Sequence, residues 1–264
     1  MATVTLISIA PVKGLGLVHP TEVELERTGV LANRRFHVVD TTGRRYNQIR
    51  NGTMVRVRPE YDPELEQLAL TFPDGSVASG TVELGEAITT DFYGRPVAGR
   101  LVVGPWSQAL SSAFGRELRL VQSAPGEAID RGGGHVSLIS EASLAELAEQ
   151  GGVDEPVDGR RFRMLFQVDG LEPHGEDSWL RRRVRIGGAL VELLGTVGRC
   201  AITTQNPDTG VPDFDTLRVL EAYRGLNDVR ELDFGVYGRV VQPGLVRVGD
   251  SAEPVEVTLL DATA

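Results

Sequence analysis

Val197-Gly-Arg-Cys-Ala-Ile-Thr-Thr-Gln-Asn-Pro-Asp-Thr-Gly210 carries the one cysteine of a 264-residue chain. Upstream, Gly188-Ala-Leu-Val-Glu-Leu-Leu194 is an apolar run of strand character, and downstream Asn206-Pro-Asp-Thr-Gly210 is dense in turn formers. Cys200 is therefore expected at a strand end facing a rim. A thiolate there has three chemical readings: a nucleophile, a persulfide carrier or a soft metal ligand. Arg199 would favour its ionisation if the two side chains converge. The plain alternative is a small buried hydrophobe, the common fate of a lone cysteine.

Composition narrows the setting. With 27 Lys and Arg against 37 Asp and Glu the formal charge is −10, which argues against nucleic acid or an anionic membrane as the main partner. A local basic cluster can still hold an anionic small molecule. A single cysteine excludes an internal disulfide, the start Met1-Ala-Thr-Val-Thr-Leu-Ile7 lacks the pattern of a secretory signal, and no apolar run approaches the ~20 residues of a membrane span. A cytoplasmic location is the expectation. With 31 glycines, 14 prolines and many short β-branched runs, the chain reads as mainly β with a few helices.

Along the chain, Thr3 to Ala10 reads as a strand ended by Pro11, and Lys13 follows in the loop Pro11-Val-Lys-Gly-Leu-Gly16. Thr21 to Glu26 alternates as a half-buried strand should. Asn33-Arg-Arg-Phe-His-Val-Val-Asp40 reads as a strand opening with two arginines, and Asp40-Thr-Thr-Gly43 should fold it back into Arg45-Tyr-Asn-Gln-Ile-Arg50. That hairpin would gather Arg34, Arg35 and Arg50 along one edge, as partners for surface carboxylates or as a clamp on a phosphate. Further strands are expected at Met54 to Arg58, Leu68 to Phe72, Arg95 to Val103 and Leu118 to Val121, with helices over Trp106 to Phe114 and Thr216 to Arg224. Ser140 should cap the helix ending at Glu149. His135 has no Cys, Asp or His at metal spacing.

Three further stretches carry a family resemblance with the cysteine loop. Gly159-Arg-Arg-Phe-Arg-Met-Leu165 reads as the start of a strand, Asp177-Ser-Trp179 as a turn, and Phe234-Gly-Val-Tyr237 followed by Gly244 to Asp250 as closing strands. Together with Gly198-Arg-Cys-Ala-Ile-Thr-Thr204, they resemble the MOSC family, which includes the molybdenum cofactor sulfurase C-terminal domain and the mitochondrial amidoxime reducing component. Ala10-Pro-Val-Lys13 and Asn33 to Asp40 resemble the β-barrel domain that precedes MOSC domains.

The resemblance implies an N-terminal β-barrel domain over residues 1–120 and a MOSC β-barrel domain over 121–264. It implies a molybdenum–pyranopterin cofactor with Cys200 as the metal's protein ligand. Lys13, Arg34, Arg35, Arg50 and Arg163 would bind phosphate and pterin, Thr203 and Asn206 would add neutral hydrogen bonds, and Asp177 would handle protons near the rim. Met164 and Leu165 stand where the family strand reads Pro-Asn, and Gly14 where Ser is frequent. The implied activity is reduction of N-hydroxylated small molecules such as amidoximes and hydroxylamines, with electrons from a separate flavin or iron–sulfur protein. The family also brings an association with pyridoxal phosphate. Two alternatives stand beside this: a persulfide carrier through Cys200, and a MOSC scaffold without the cofactor that binds another small anion.

Overall fold

The structure, a computed structural model, describes residues 1–130 and 132–255. Its first ten strands are β1 (Ala2–Ile7), β2 (Glu22–Leu25), β3 (Phe36–Asp40), β4 (Arg45–Tyr46), β5 (Arg58–Asp62), β6 (Gln67–Thr71), β7 (Val77–Thr81), β8 (Glu83–Phe92), β9 (Arg95–Val103) and β10 (Leu118–Ser123). The rest are β11 (Val136–Ser140), β12 (Phe166–Asp169), β13 (Arg183–Ile186), β14 (Ala189–Gly198), β15 (Asp233–Gln242), β16 (Gly244–Arg247) and β17 (Ser251–Pro254). Helices are α1 (Trp106–Phe114), α2 (Glu141–Gly151) and α3 (Thr216–Tyr223).

A five-stranded sheet, β4-β3-β10-β9-β8, and a three-stranded one, β5-β6-β7, enclose the first core. All five residues of β3 are buried, and Phe36 and Val38 pack with Leu70, Leu110 and Leu120. Trp106 seats α1 on this core, its indole donating to the Leu68 carbonyl at 3.2 Å. A buried Trp needs such a partner for its N–H. Helix α1 ends at Gly115, whose φ of 64° closes the last turn.

The second core lies inside a closed barrel of order β1-β12-β11-β15-β14-β13-β17. β11 and β12 pair in parallel, which requires the crossover that α2 supplies. Ser140 caps α2 by accepting from the Ser143 amide at 3.1 Å. The fully buried Glu176 carboxylate accepts from the Ser143 hydroxyl at 2.9 Å and the Ser140 amide at 3.2 Å. A carboxylate is favoured at that helix end by the peptide dipoles.

Four expectations need correction. Residues 54–58 are not a strand: Gly52–Arg56 is a 3-10 turn capped by Asn51, whose short side chain accepts from Thr53. The stretch around Arg163 is a 3-10 turn, Gly159–Phe162, and Arg163 itself is left-handed at φ 54°. The hairpin return after Asp40 is only two residues long, because Asn47 and Asn51 turn the chain away. Finally β1, from the N-terminal end, closes the barrel of the second half by pairing with β12 and β17. Residues 256–264, placed by the sequence reading in the second domain, lie outside the described residues.

The halves meet closely at two glycines. A Cβ on Gly210, whose φ is 74°, would collide with the Gly52 carbonyl, and one on Gly52 would collide with that of Gly210. Gly75 has a similar φ of 84° with open space around it. Gly210→Ala is therefore expected to lose about 2–4 kcal/mol of stability, from left-handed strain plus overpacking, and Gly75→Ala only about 1 kcal/mol. Urea denaturation of both variants checks this; equal losses would show that backbone strain alone matters and the contact does not.

Candidate functional site

Cys200 lies two residues beyond the end of β14 and is exposed. Its carbonyl starts a 3-10 turn, Ala201–Thr204, accepting from both the amide and the hydroxyl of Thr203 at 3.0 Å. Thr203 Oγ1 also pairs with Thr216 Oγ1 at 2.6 Å, tying the loop to α3. Arg161 lies beneath and donates through one nitrogen to the Thr203 carbonyl, the Gln205 carbonyl and Asp213, at 3.2, 3.2 and 3.1 Å. Gln205 in turn donates to the Gln48 carbonyl at 3.0 Å. The cysteine loop is thus held from below by its own domain and from the side by the other.

Arg199 does not converge on the thiol. Its guanidinium donates to the Phe234 and Phe162 carbonyls and contacts Met164 Sδ, so it buttresses the strand end. Among the described residues no group of three His, Cys, Asp or Glu converges to hold a metal.

A cleft of 490 Å³ opens between the halves. Cys200, Val197, Met164 and Tyr237 line one part, and Lys13, Arg34, Arg163, Tyr93 and Asp130 another. Its lining holds the cations Lys13, Arg34, Arg161, Arg163 and Arg199 against the carboxylates Asp130 and Glu231, in a chain whose formal charge is −10. Such an island of positive charge attracts anions electrostatically.

Backbone geometry sets these cations. Lys13 and Arg34 are placed as β3 begins, by the Lys13 amide to the Phe36 carbonyl at 2.8 Å and the Arg34 amide to the Ala10 carbonyl at 2.7 Å. Asn33 secures the same corner by accepting from the Ala10 amide at 3.0 Å. Arg34 is left-handed, like Arg163. Arg34 donates to the Arg163 carbonyl at 3.2 Å, and Arg163 donates to the Leu15 carbonyl at 2.7 Å, so each crosses the junction in the opposite direction. Among the described residues neither has a carboxylate in ion-pair distance.

Lys13, its side chain 14% exposed, pairs with the half-exposed Asp130 at 2.8 Å. Burial, with help from Arg34 and Arg45, outweighs that partner and pushes Lys13 down to about 8. Burial also presses both arginines down, Arg34 acting on Arg163 as well. Burial alone would raise Asp130, but Lys13, Arg34 and Arg45 hold it below the usual carboxylate range. The nearby His37, bonded to Thr90 at 3.0 Å, is pushed down to about 3 by burial and then by Lys13 and Arg45, so it is neutral.

Of the other residues expected at the site, Arg35 donates away to the Ser123 carbonyl, and Arg50 pairs with Asp40 at 3.7 Å. Neither lines the cleft, because the return strand ends before it can bring Arg50 alongside Arg34. Asp177 is held by Arg224 at 2.7 Å outside the lining. Asn206 binds Asp213 at 2.8 Å and folds its own loop, facing a smaller cavity of 330 Å³ that shares Gln48, Arg161, Arg163 and Ile202 with the cleft. Thr203 lines the cleft with its hydroxyl already engaged. Leu165 is buried, and its amide is satisfied by Ser137 Oγ at 2.9 Å. Sequence reasoning missed Arg45, Tyr93, Asp130 and Tyr237, which reach this region from separate elements. The Tyr93-Gly94 pair had a legible signal, since a glycine between two strand-like runs marks a hairpin tip.

The sequence model of the MOSC N-terminal beta barrel domain matches residues 1–97 and that of the MOSC domain matches 131–253. Mitochondrial amidoxime-reducing component 1 of Xenopus laevis is 34% identical over 122 residues, 44% of this chain and 34% of that one. Component 2 of Bos taurus is 35% identical over 123 residues, 44% and 35% of the two chains. Molybdenum cofactor sulfurase of Oryza sativa subsp. japonica is 32% identical over 100 residues, 34% and 12% of the two. The matches thus span about a third or less of these relatives' length. Among solved structures, the YUAD protein from Bacillus subtilis superposes with a TM-score of 0.45 at 14% identity, over 96% of this chain and 94% of that one. With both domain models matched in order along the chain, this protein belongs to the MOSC family, with a MOSC N-terminal beta barrel domain followed by a MOSC domain.

Proposed function

We propose that this chain binds a molybdenum–pyranopterin cofactor in the 490 Å³ cleft and reduces N-hydroxylated small molecules, such as amidoximes and hydroxylamines, using electrons from a separate flavin or iron–sulfur protein. One observation carries the reading: an exposed thiol and a cluster of partly desolvated cations line the same cleft. The names of the amidoxime-reducing relatives supply the substrate class.

The residues fit such a group. Lys13, Arg34 and Arg163 would neutralise its phosphate through charge-assisted hydrogen bonds. Arg45 adds an unmatched donor beside them: its NH1 is buried without a hydrogen-bond partner, and Asp130 lies 3.9 Å from it. Cys200 would supply the protein's one sulfur ligand at the other end, with Arg161 keeping the loop in place. When bound, the group would supply two-electron redox chemistry and oxygen-atom transfer. Asp130 now neutralises Lys13, so a bound phosphate would take over that contact. Leu165 offers no polar side-chain atom, and Ser137, which lines the cleft and accepts from the Leu165 amide, would supply a hydroxyl there.

Purified protein is expected to hold molybdenum and pterin near one equivalent, and Cys200→Ala to lose the metal. Elemental and pterin analysis reads both. A cyanolysable sulfur without metal would turn the assignment to the persulfide carrier, and neither signal would turn it to another small anion.

The state of Lys13 adds a pH dependence. Below about 8 it is charged and attracts an anion; above, the charge is lost, so affinity for inorganic phosphate should fall as pH rises through 8. Because a bound dianion favours the charged form, binding between pH 8 and 10 should take up a proton. Calorimetry in buffers of different ionisation enthalpy measures this, and Lys13→Met should remove both the step and the proton. Pyridoxal phosphate, with the same phosphate chemistry, belongs among the competitors.

A further inference from the structure

Tyr93 sits at the tip of the β8–β9 hairpin, where Phe92 pairs with Arg95. The two tip residues, Tyr93 and Gly94, have φ of 57° and 84°. Such a two-residue tip favours Asn-Gly or Gly-Gly, because both central residues are left-handed. Tyrosine is a poor choice there, since a bulky side chain at positive φ is strained. Strain of this kind persists where the surroundings hold it in place and tends to collect at functional sites.

The surroundings here do hold it. The Arg45 guanidinium stacks 4.1 Å from the Tyr93 ring centre and 4.6 Å from that of Phe92. Arg45 is anchored in turn by donating to the Asp91 carbonyl at 2.7 Å. One face of the ring thus carries a cation, yet the residue remains 63% exposed and lines the same cleft as Cys200. Burial and then Asp130 raise its phenol.

We infer that Tyr93 is a substrate platform: a strained, cation-backed ring that stacks the planar part of an aromatic N-hydroxylated compound and turns its polar end toward Cys200. The inference rests on the proposed activity for the identity of the polar end, but the platform itself needs no metal. Polarisation by Arg45 on one face leaves an exposed face suited to a flat ring.

The discriminating variant is Tyr93→Asn, which creates Asn-Gly, the pair this turn prefers. It is expected to raise the thermal midpoint by about 2–4 °C through relief of strain. At the same time it should weaken benzamidoxime binding to the protein as purified about five- to tenfold, while acetamidoxime, which has no ring, binds unchanged. Tyr93→Phe should retain the preference. Calorimetric titration with the two probes reads the ratio of Kd values. Loss of the preference in Tyr93→Asn alone supports the platform, even in a preparation free of molybdenum, where the proposed redox activity would fail by itself. Equal benzamidoxime affinity in wild type and Tyr93→Asn, or no preference for the aromatic probe in wild type, would overturn it.

Discussion

Two crossing bonds, from Arg34 to the Arg163 carbonyl and from Arg163 to the Leu15 carbonyl, govern the rest of the site. Each guanidinium crosses the junction to a backbone carbonyl, and neither has its own carboxylate among the described residues. Carbonyls satisfy donors without neutralising charge. The halves are therefore joined by groups that remain cationic in a partly desolvated cleft, a costly arrangement unless an anion completes it. Burial is the main cause that keeps His37 neutral and lowers Lys13, and the neighbouring cations add to it. Asp130 offsets part of their charge from one side only.

The second constraint is the placement of the thiol. Cys200 could not stay exposed at a fixed point if its loop were held by β14 alone, because short 3-10 turns have poor internal hydrogen bonds. Arg161 draws two loop carbonyls and Asp213 together, and the Gln205–Gln48 bond and the Gly52–Gly210 contact press the same loop against the other domain. The position of the thiol is consequently tied to that of Lys13 and Arg34: whatever shifts one half relative to the other moves the sulfur away from these two cations.

Tyr93 shows how far local preference yields to the cleft. A hairpin tip with two left-handed residues would form more easily with asparagine, and the stacking on Arg45 offsets only part of tyrosine's strain. Glu176 illustrates the opposite case, a buried carboxyl explained by local needs alone, since serine donors and a helix end satisfy it.

Much of this was legible in the chain itself. The spacing of Trp106 and Leu110 and the stop at Gly115 defined α1, Ser140 announced the cap of α2, and the cysteine loop with its flanking motifs pointed to the family. These signals are local, because helix faces, caps and turns are set by residues a few positions apart. The alternation of Met54 to Arg58 misled for the same reason: a 3-10 turn can mimic a strand's period when an asparagine cap redirects the backbone. The gathering of Arg34 with Arg163 but not with Arg35 or Arg50, the entry of β1 into the distant barrel, and the meeting of Tyr93, Asp130 and Cys200 were decided by tertiary structure. Sequence determines which side chains can share a face of one element. Which faces meet depends on long-range strand pairing and on the closure of the barrel, and these follow from burying the whole core at once.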